Sequence, residues 1–286
     1  MPAAHRREPV HVYRLRRALA ATGVVLTGFA VLNLTGAVGG GGDEAASPTT
    51  TSTSTTTTLP PVPACAEAEV QVLENPDAAW ATIMVDTARA LPAAYGPGDL
   101  RNIADAGFPF TDGLAVRQLV VADLDALRQA AVANGTPLSI LAAHRSHGRQ
   151  TDLFERRVDE LGDTEAGSRV ARPGHSEHQL GTTIDVATEG DTDVDQSWGA
   201  TPHGQWVATN AHKYGFLLSY PQGASDSTCF DYEPWHLRYV GREVAADVIA
   251  SGLSLREYLW QLNPVDITTT TTTTTTTAPV ATTPTP

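Results

Sequence analysis

The sequence predicts an α+β domain, a central antiparallel sheet flanked by helices. Helical and strand patterns mix along the chain without the regular alternation that a parallel sheet needs. Segment 118–134 has clear helical spacing, and several short apolar runs bounded by glycine or proline read as strands. Asp77 to Leu91 is expected to be helical, with Ala79, Ile83 and Ala90 near one face, and the Pro/Gly-containing stretch 91–98 breaks it. Gln118 to Asn134 is the strongest helix. Leu119, Ala122, Ala126, Ala130 and Ala133 recur at three- to four-residue spacing, and Asn134 with Gly135 ends it. Leu138 to Ala143 is expected as a buried strand, Thr151 to Leu161 as a charged helix, and Pro173 with Gly174 as a loop. Thr183 to Ala187 follows as a strand, Gly204 to Tyr214 as a helix stopped by Gly215, and Phe216 to Tyr220 as a strand stopped by Pro221. Trp235 to Val240 reads as the last strand and Val244 to Ser251 as a helix ended by Gly252.

Not all of the 286 residues suit a packed domain. Residues 1–17 carry five arginines and one acid, and 18–38 carry no charge. Basic-then-apolar order marks an export signal or a membrane anchor, and the apolar run is long enough to span a bilayer core of ~30 Å as a helix. An uncleaved transmembrane anchor is the favoured reading, with cleavage near Ala37 the alternative. Either way the arginines stay in the cytoplasm and everything after residue 40 lies outside the membrane, tethered or secreted. Residues 39–64 are a Gly/Thr/Pro linker and 268–286 a threonine-rich tail; both are expected to be disordered.

Residues 65–267 have the length of one domain. They hold 29 of the 32 acidic and 14 of the 19 basic residues, a balance of −15 that argues against a nucleic-acid partner. Cys65 and Cys229 are the two cysteines. In an exported chain they are most simply a disulfide, with a pair of thiols as the competing reading. A monomer is expected.

The chemistry concentrates in two places. Ser176, His178, Gly181 and Asp185 lie in one ten-residue stretch, and Glu233 and His236 share a later segment. Two imidazoles and a carboxylate are a plausible ligand set for a divalent ion, zinc above all, with one position open to water and Glu233 free to handle protons. His178 and Asp185 stand too far apart for one helical turn; a loop ligand followed by a strand ligand suits the spacing, with Gly181 letting the backbone turn. Asp185 sits among apolar residues, where a carboxylate needs a partner. Trp235 is expected to pack beside the site and help exclude water. Singly, each of these residues has an ordinary structural explanation; their co-occurrence points to a metallohydrolase.

The pattern from Ser176 to Asp185 resembles the SxHxxGxAxD motif of the VanY-type D-alanyl-D-alanine carboxypeptidases, zinc enzymes of peptidase family M15, the LAS group. Glu233 to His236, followed by Arg238, Tyr239 and Gly241, is similar to the family's second motif. Segments at 210–216 and 219–221, and His144, Arg145, Ser146 and Gln150, resemble its other signatures. The resemblance spans roughly residues 85–250 and implies a LAS-type fold. It implies that His178, Asp185 and His236 bind zinc, that Glu233 is the catalytic base and later the acid, and that Arg145 steadies an oxyanion or the substrate's terminal carboxylate. Gln150 and Ser176 would help bind that carboxylate. The implied activity is removal of the terminal D-Ala from peptidoglycan stem peptides. An endopeptidase or D,D-dipeptidase of the same fold, or a catalytically dead wall-binding module, is the alternative. The chain departs from the pattern at Thr183, His144, His147 and Leu237, which puts substrate preference in question and leaves ligands and base in place.

Overall fold

The computed structural model describes residues 62–65, 70–74, 76–109 and 113–262. The basic segment, the apolar run 18–38, the linker through residue 61 and the tail 268–286 lie outside them. No helix among the described residues is long and apolar enough to cross a membrane.

Two short strand pairs come first. Strand β1 (Gln71–Val72) runs parallel to β2 (Arg89–Ala90), and β3 (Leu100–Asn102) pairs antiparallel with β4 (Ala115–Arg117). Strands β5 (Leu138–Ala142), β6 (Thr183–Thr188), β7 (Phe216–Leu218) and β8 (His236–Tyr239) form the main sheet in the order β5-β6-β8-β7, antiparallel throughout. The described α-helices are α1 (Val121–Ala133), α2 (His147–Leu161), α3 (Asp163–Arg169), α4 (Pro202–Asn210), α5 (Ser225–Thr228), α6 (Arg242–Ser251) and α7 (Leu255–Leu262). This is the expected α+β architecture with an antiparallel sheet.

The pleat sorts the sheet into two faces. Ile184 pairs with Leu237 and Phe216 with Tyr239; these side chains join Ile140 and Val186 in a core cluster with Leu124, Leu127 and Ala131 of α1. The alternate residues, Thr183, Asp185, His236 and Arg238, share the opposite face, where Thr183 pairs with Arg238 and Asp185 with His236. A second apolar cluster, including Met84, Leu217, Val240, Val248, Leu255, Leu259 and Trp260, is built from β7, α6 and α7. Register slips between Ile140 and Ala142 as β5 runs along β6, so the bulge falls beside Asp185.

Four expectations need correction. Asp77–Leu91 is not a helix: turns occupy 76–82, and the chain ends the segment in β2. Its polar groups are claimed from elsewhere. The carbonyls of Trp80 and Ile83 accept from Arg238, and Asp86 Oδ1 caps the amides of Ala88 and Arg89. Helix α1 forms, but its buried face is Leu124, Leu127 and Ala131, continuing Val120, rather than the alanine row. Burying a leucine contributes about 1.5–3 kcal/mol, far more than an alanine can, so leucines choose the face. Helix α2 starts four residues earlier than expected because Ser146 caps it, accepting from the Arg149 amide. Helix α7 was not expected, although Ser254 and Glu257 form a reciprocal capping box at its start and Leu255, Leu259 and Trp260 bury its inner face.

Cys65 and Cys229 are bonded, with Cα atoms 5.2 Å apart. Arg256 reinforces the tie: it pairs with Asp86 and donates to the carbonyls of Ser227 and Pro63. The start of the domain is thus fastened beside the segment that leads to Glu233. The disulfide closes a sequence separation of 164 residues. Replacing both cysteines by serine is expected to lower unfolding free energy by roughly 2–5 kcal/mol in denaturant titrations, with the folded far-ultraviolet circular dichroism spectrum retained.

Candidate active site

A 3-10 turn, Glu177–Leu180, delivers His178, and β6 delivers Asp185. Gly181 joins them at φ 70°, in the left-handed region. A side chain there would also meet Arg117, Leu100 and Pro97 at 3.1 Å. The chain turns in a single residue, and Asp185 then stands opposite His236 on β8.

His178 Nε2 lies 3.3 Å from Asp185 Oδ2, and His236 Nδ1 lies 3.3 Å from Asp185 Oδ1. The imidazoles meet edge-on with centroids 5.0 Å apart. One ligand atom from each of His178, Asp185 and His236 can be chosen so that all lie within 4.8 Å of one another. His178 Nδ1 sits 2.8 Å from the carbonyl of Ala143. A carbonyl only accepts, so that nitrogen carries the proton and Nε2 presents its lone pair. Asp185 Oδ1 is buried and makes no hydrogen bond. A neutral imidazole lone pair, a second imidazole and an unsatisfied carboxylate oxygen converging in this way fit a divalent cation and suit zinc.

Glu233 Oε2 is 3.4 Å from His236 Nδ1, on the same side as Asp185. Burial, opposed by the charge of His236 and reinforced by that of Asp185, raises the Glu233 carboxyl to about 7. Burial also acts on the other groups. It pushes the His178 imidazole down. For Asp185, burial is outweighed by the two imidazoles, and its carboxyl falls far below the usual range. For His236, burial is outweighed by contacts with Asp185 and Glu177, and the ring rises to about 10.

Arg145 enters from the loop after β5. Its Nη2 is 3.9 Å from Asp185 Oδ2, and its Nη1 donates to Gln150 Oε1 at 3.0 Å. Gln150 is buried in the first turn of α2 and gives its amide nitrogen to the carbonyl of Ala171, so it bears on the site through Arg145. Ser176 is buried just before the 3-10 turn. His175 holds the carbonyl of Asp86 at 2.6 Å, a structural role. Trp235 is half-buried, and the ring packed on His236 is that of Tyr220, at 4.7 Å between centroids.

Sequence reasoning missed a buried group behind His236. Glu177 Oε2 faces His236 Nε2 at 3.0 Å and accepts from Ser219 at 2.5 Å, while Oε1 accepts from Arg238 Nη1 at 3.0 Å. The available signal was an acid placed directly between Ser176 and His178, inside the motif itself. Its significance depends on Arg238, far along the chain.

The family model described as VanY, D-alanyl-D-alanine carboxypeptidase, matches residues 113–242. A Bacillus subtilis (strain 168) protein named as a carboxypeptidase, YodJ, is 36% identical over 200 residues, covering 68% of this chain and 72% of the relative. The D-alanyl-D-alanine carboxypeptidase of Enterococcus faecalis (strain ATCC 700802 / V583) is 30% identical over 224 residues, covering 70% and 79%. Among solved structures, the LdcB LD-carboxypeptidase aligns with a TM-score of 0.61 and 35% identity, over 66% of this chain and 89% of that one. A mutant of the vancomycin resistance D,D-pentapeptidase VanY in complex with Zn(II) aligns at 0.54 and 28%, over 63% and 99%. The fold is that of the LAS-type peptidases, and the chain belongs to the VanY family of D-alanyl-D-alanine carboxypeptidases.

Proposed function

We propose that this chain is an extracytoplasmic zinc D,D-carboxypeptidase that removes the terminal D-Ala from peptidoglycan stem peptides. The observation that carries the reading is the convergence of His178, Asp185 and His236 with Glu233 on the same side but outside that set of three. A solved VanY holds Zn(II), and a VanYB is known in complex with D-alanine-D-alanine, which supports the metal and the end group recognised.

Zinc held by His178, Asp185 and His236 would supply Lewis acidity, making water nucleophilic near neutral pH and polarising the scissile carbonyl. Glu233 takes a proton from the attacking water and returns it to the departing amine, a task suited to a carboxyl that stands beside the three ligands without being one of them. Arg145 offers a planar guanidinium to the terminal carboxylate or to the developing oxyanion, and Gln150 holds it in place. Location rests on the basic segment, the apolar run and the linker, which would tether the domain on the outer face of the membrane with reach toward the wall.

A second reading, an L,D-carboxypeptidase, is favoured by the likeness to LdcB. Mass spectrometry of stem peptides incubated with the purified enzyme separates the two. D-Ala released from a pentapeptide but not from a tetrapeptide supports the D,D reading; release from the tetrapeptide alone overturns it. Chelation with EDTA is expected to abolish release and added zinc to restore it. Glu233→Gln is expected to lower kcat by 10²–10⁴-fold with zinc content unchanged by metal analysis, and full activity in that variant would remove Glu233 from the mechanism.

The raised pKa of Glu233 also has a sign in stability. Its folded value, about 7, lies above the unfolded value, so the native state binds the proton more tightly. The cost of burying the carboxylate is absent below the unfolded pKa and grows until pH passes 7. In metal-free protein, Glu233→Gln is therefore expected to stabilise the fold more at pH 8 than at pH 5, by on the order of 2 kcal/mol in paired denaturant titrations.

A further inference from the structure

We infer that Glu177 is a positioning residue that selects which nitrogen of His236 faces the metal. The inference rests on the zinc reading above and extends it to a residue that binds neither metal nor substrate.

The two imidazoles present different nitrogens to Asp185: Nε2 of His178 and Nδ1 of His236. Each ring is held by its other nitrogen. For His178 the holder is the carbonyl of Ala143, fixed by the backbone. For His236 it is Glu177 Oε2, 3.0 Å from Nε2. A carboxylate there accepts the Nε2 proton and leaves the Nδ1 lone pair for the metal.

Glu177 is itself over-determined. Ser219 donates to the same oxygen, and Arg238 donates to the other. Arg238 is fully buried and also donates to the carbonyls of Trp80 and Ile83. It lies two residues beyond His236 on β8, on the same face, so the strand that carries the ligand also carries the cation anchoring the ligand's holder. Glu177 directly precedes His178, and one turn therefore supplies one ligand and the support of the other.

Geometry excludes Glu177 as the proton carrier. Its side chain is 6% exposed and stands on the Nε2 side, whereas Glu233, 17% exposed, stands on the Nδ1 side with Asp185. The free space beside Glu177 and Ser219 is a cavity of about 20 Å³, room for one water molecule and too small for a peptide.

The test uses full-length protein labelled with ¹⁵N at histidine and loaded with zinc. His236 is expected to show a protonated Nε2 and a metal-bound Nδ1. Zinc bound through Nε2 overturns the inference and leaves the functional reading standing, while protein that takes up no zinc overturns both. Removing Glu177 alone strands Arg238, so the matched variant is Glu177→Met with Arg238→Met, which removes both charges and keeps bulk. It is expected to bind zinc 10–100-fold more weakly in chelator competition. Glu177→Gln in the Arg238→Met background, whose amide oxygen still accepts from Nε2, is expected to recover most of that loss. Unchanged zinc affinity in the folded double variant would defeat the inference; should that variant not fold, the wild-type ¹⁵N spectrum decides alone.

Discussion

The antiparallel register of β6 and β8 sets Asp185 beside His236, and much of the domain serves that pairing. Placing a carboxylate on the inner face of a sheet is costly unless other groups satisfy it. Here the charge is met by two imidazoles at 3.3 Å and by the guanidinium of Arg145 at 3.9 Å. Each element bringing those groups in must reach the middle of β6. The left-handed turn at Gly181 returns the chain within one residue of the 3-10 turn, and the bulge in β5 falls beside Asp185. Every other residue along β6 and β8 meanwhile packs against α1 and holds the register.

Three carboxyl groups around one imidazole are driven to different states by their surroundings. Glu177 is buried, yet Arg238, His236 and Ser219 together outweigh that burial and hold it down to about 2. Asp185 is buried too, and the two histidines take it lower still. Glu233 shares the charge of His236, 3.4 Å away, with Asp185 and Glu177, so burial prevails and lifts it to about 7. In the metal-free protein this separation matches the work proposed for each. An acid held permanently ionised can fix a ring or ligate a cation, whereas one poised near neutrality can accept a proton and give it back. The different roles proposed for Glu233 and Glu177 are in keeping with these environments, even though both are glutamates touching the same histidine.

The sequence made the converging residues legible because their chemistry is local. His178, Gly181 and Asp185 lie in one short stretch, Glu233 and His236 in another, and the strands that carry them are short apolar runs with clear stops. What stayed hidden was relational. Glu177 reads as an ordinary acid until Arg238 is placed against it, a contact between residues 61 positions apart. The buried face of α1 was misassigned because alanines and leucines both recur at helical spacing, and only the depth of the core ranks them. Helix α7 carried its own capping-box signal in Ser254 and Glu257, which local inspection had the means to find.

The failed expectation of a helix at 77–91 explains how the outer support is built. A helix there would have spent the carbonyls of Trp80 and Ile83 on amides of its own following turn. As a run of turns, the segment leaves both carbonyls to Arg238, giving a fully buried guanidinium acceptors that the sheet cannot provide. Asp86, a few residues on, is taken by Arg256, which also grips the chain next to Cys65. Local helical preference in this segment amounts to tenths of a kcal/mol per residue, whereas leaving a buried arginine without partners costs several. The segment before the first motif, which looks like packing, is thus the backing on which Arg238, Glu177 and finally the His236 ring are held.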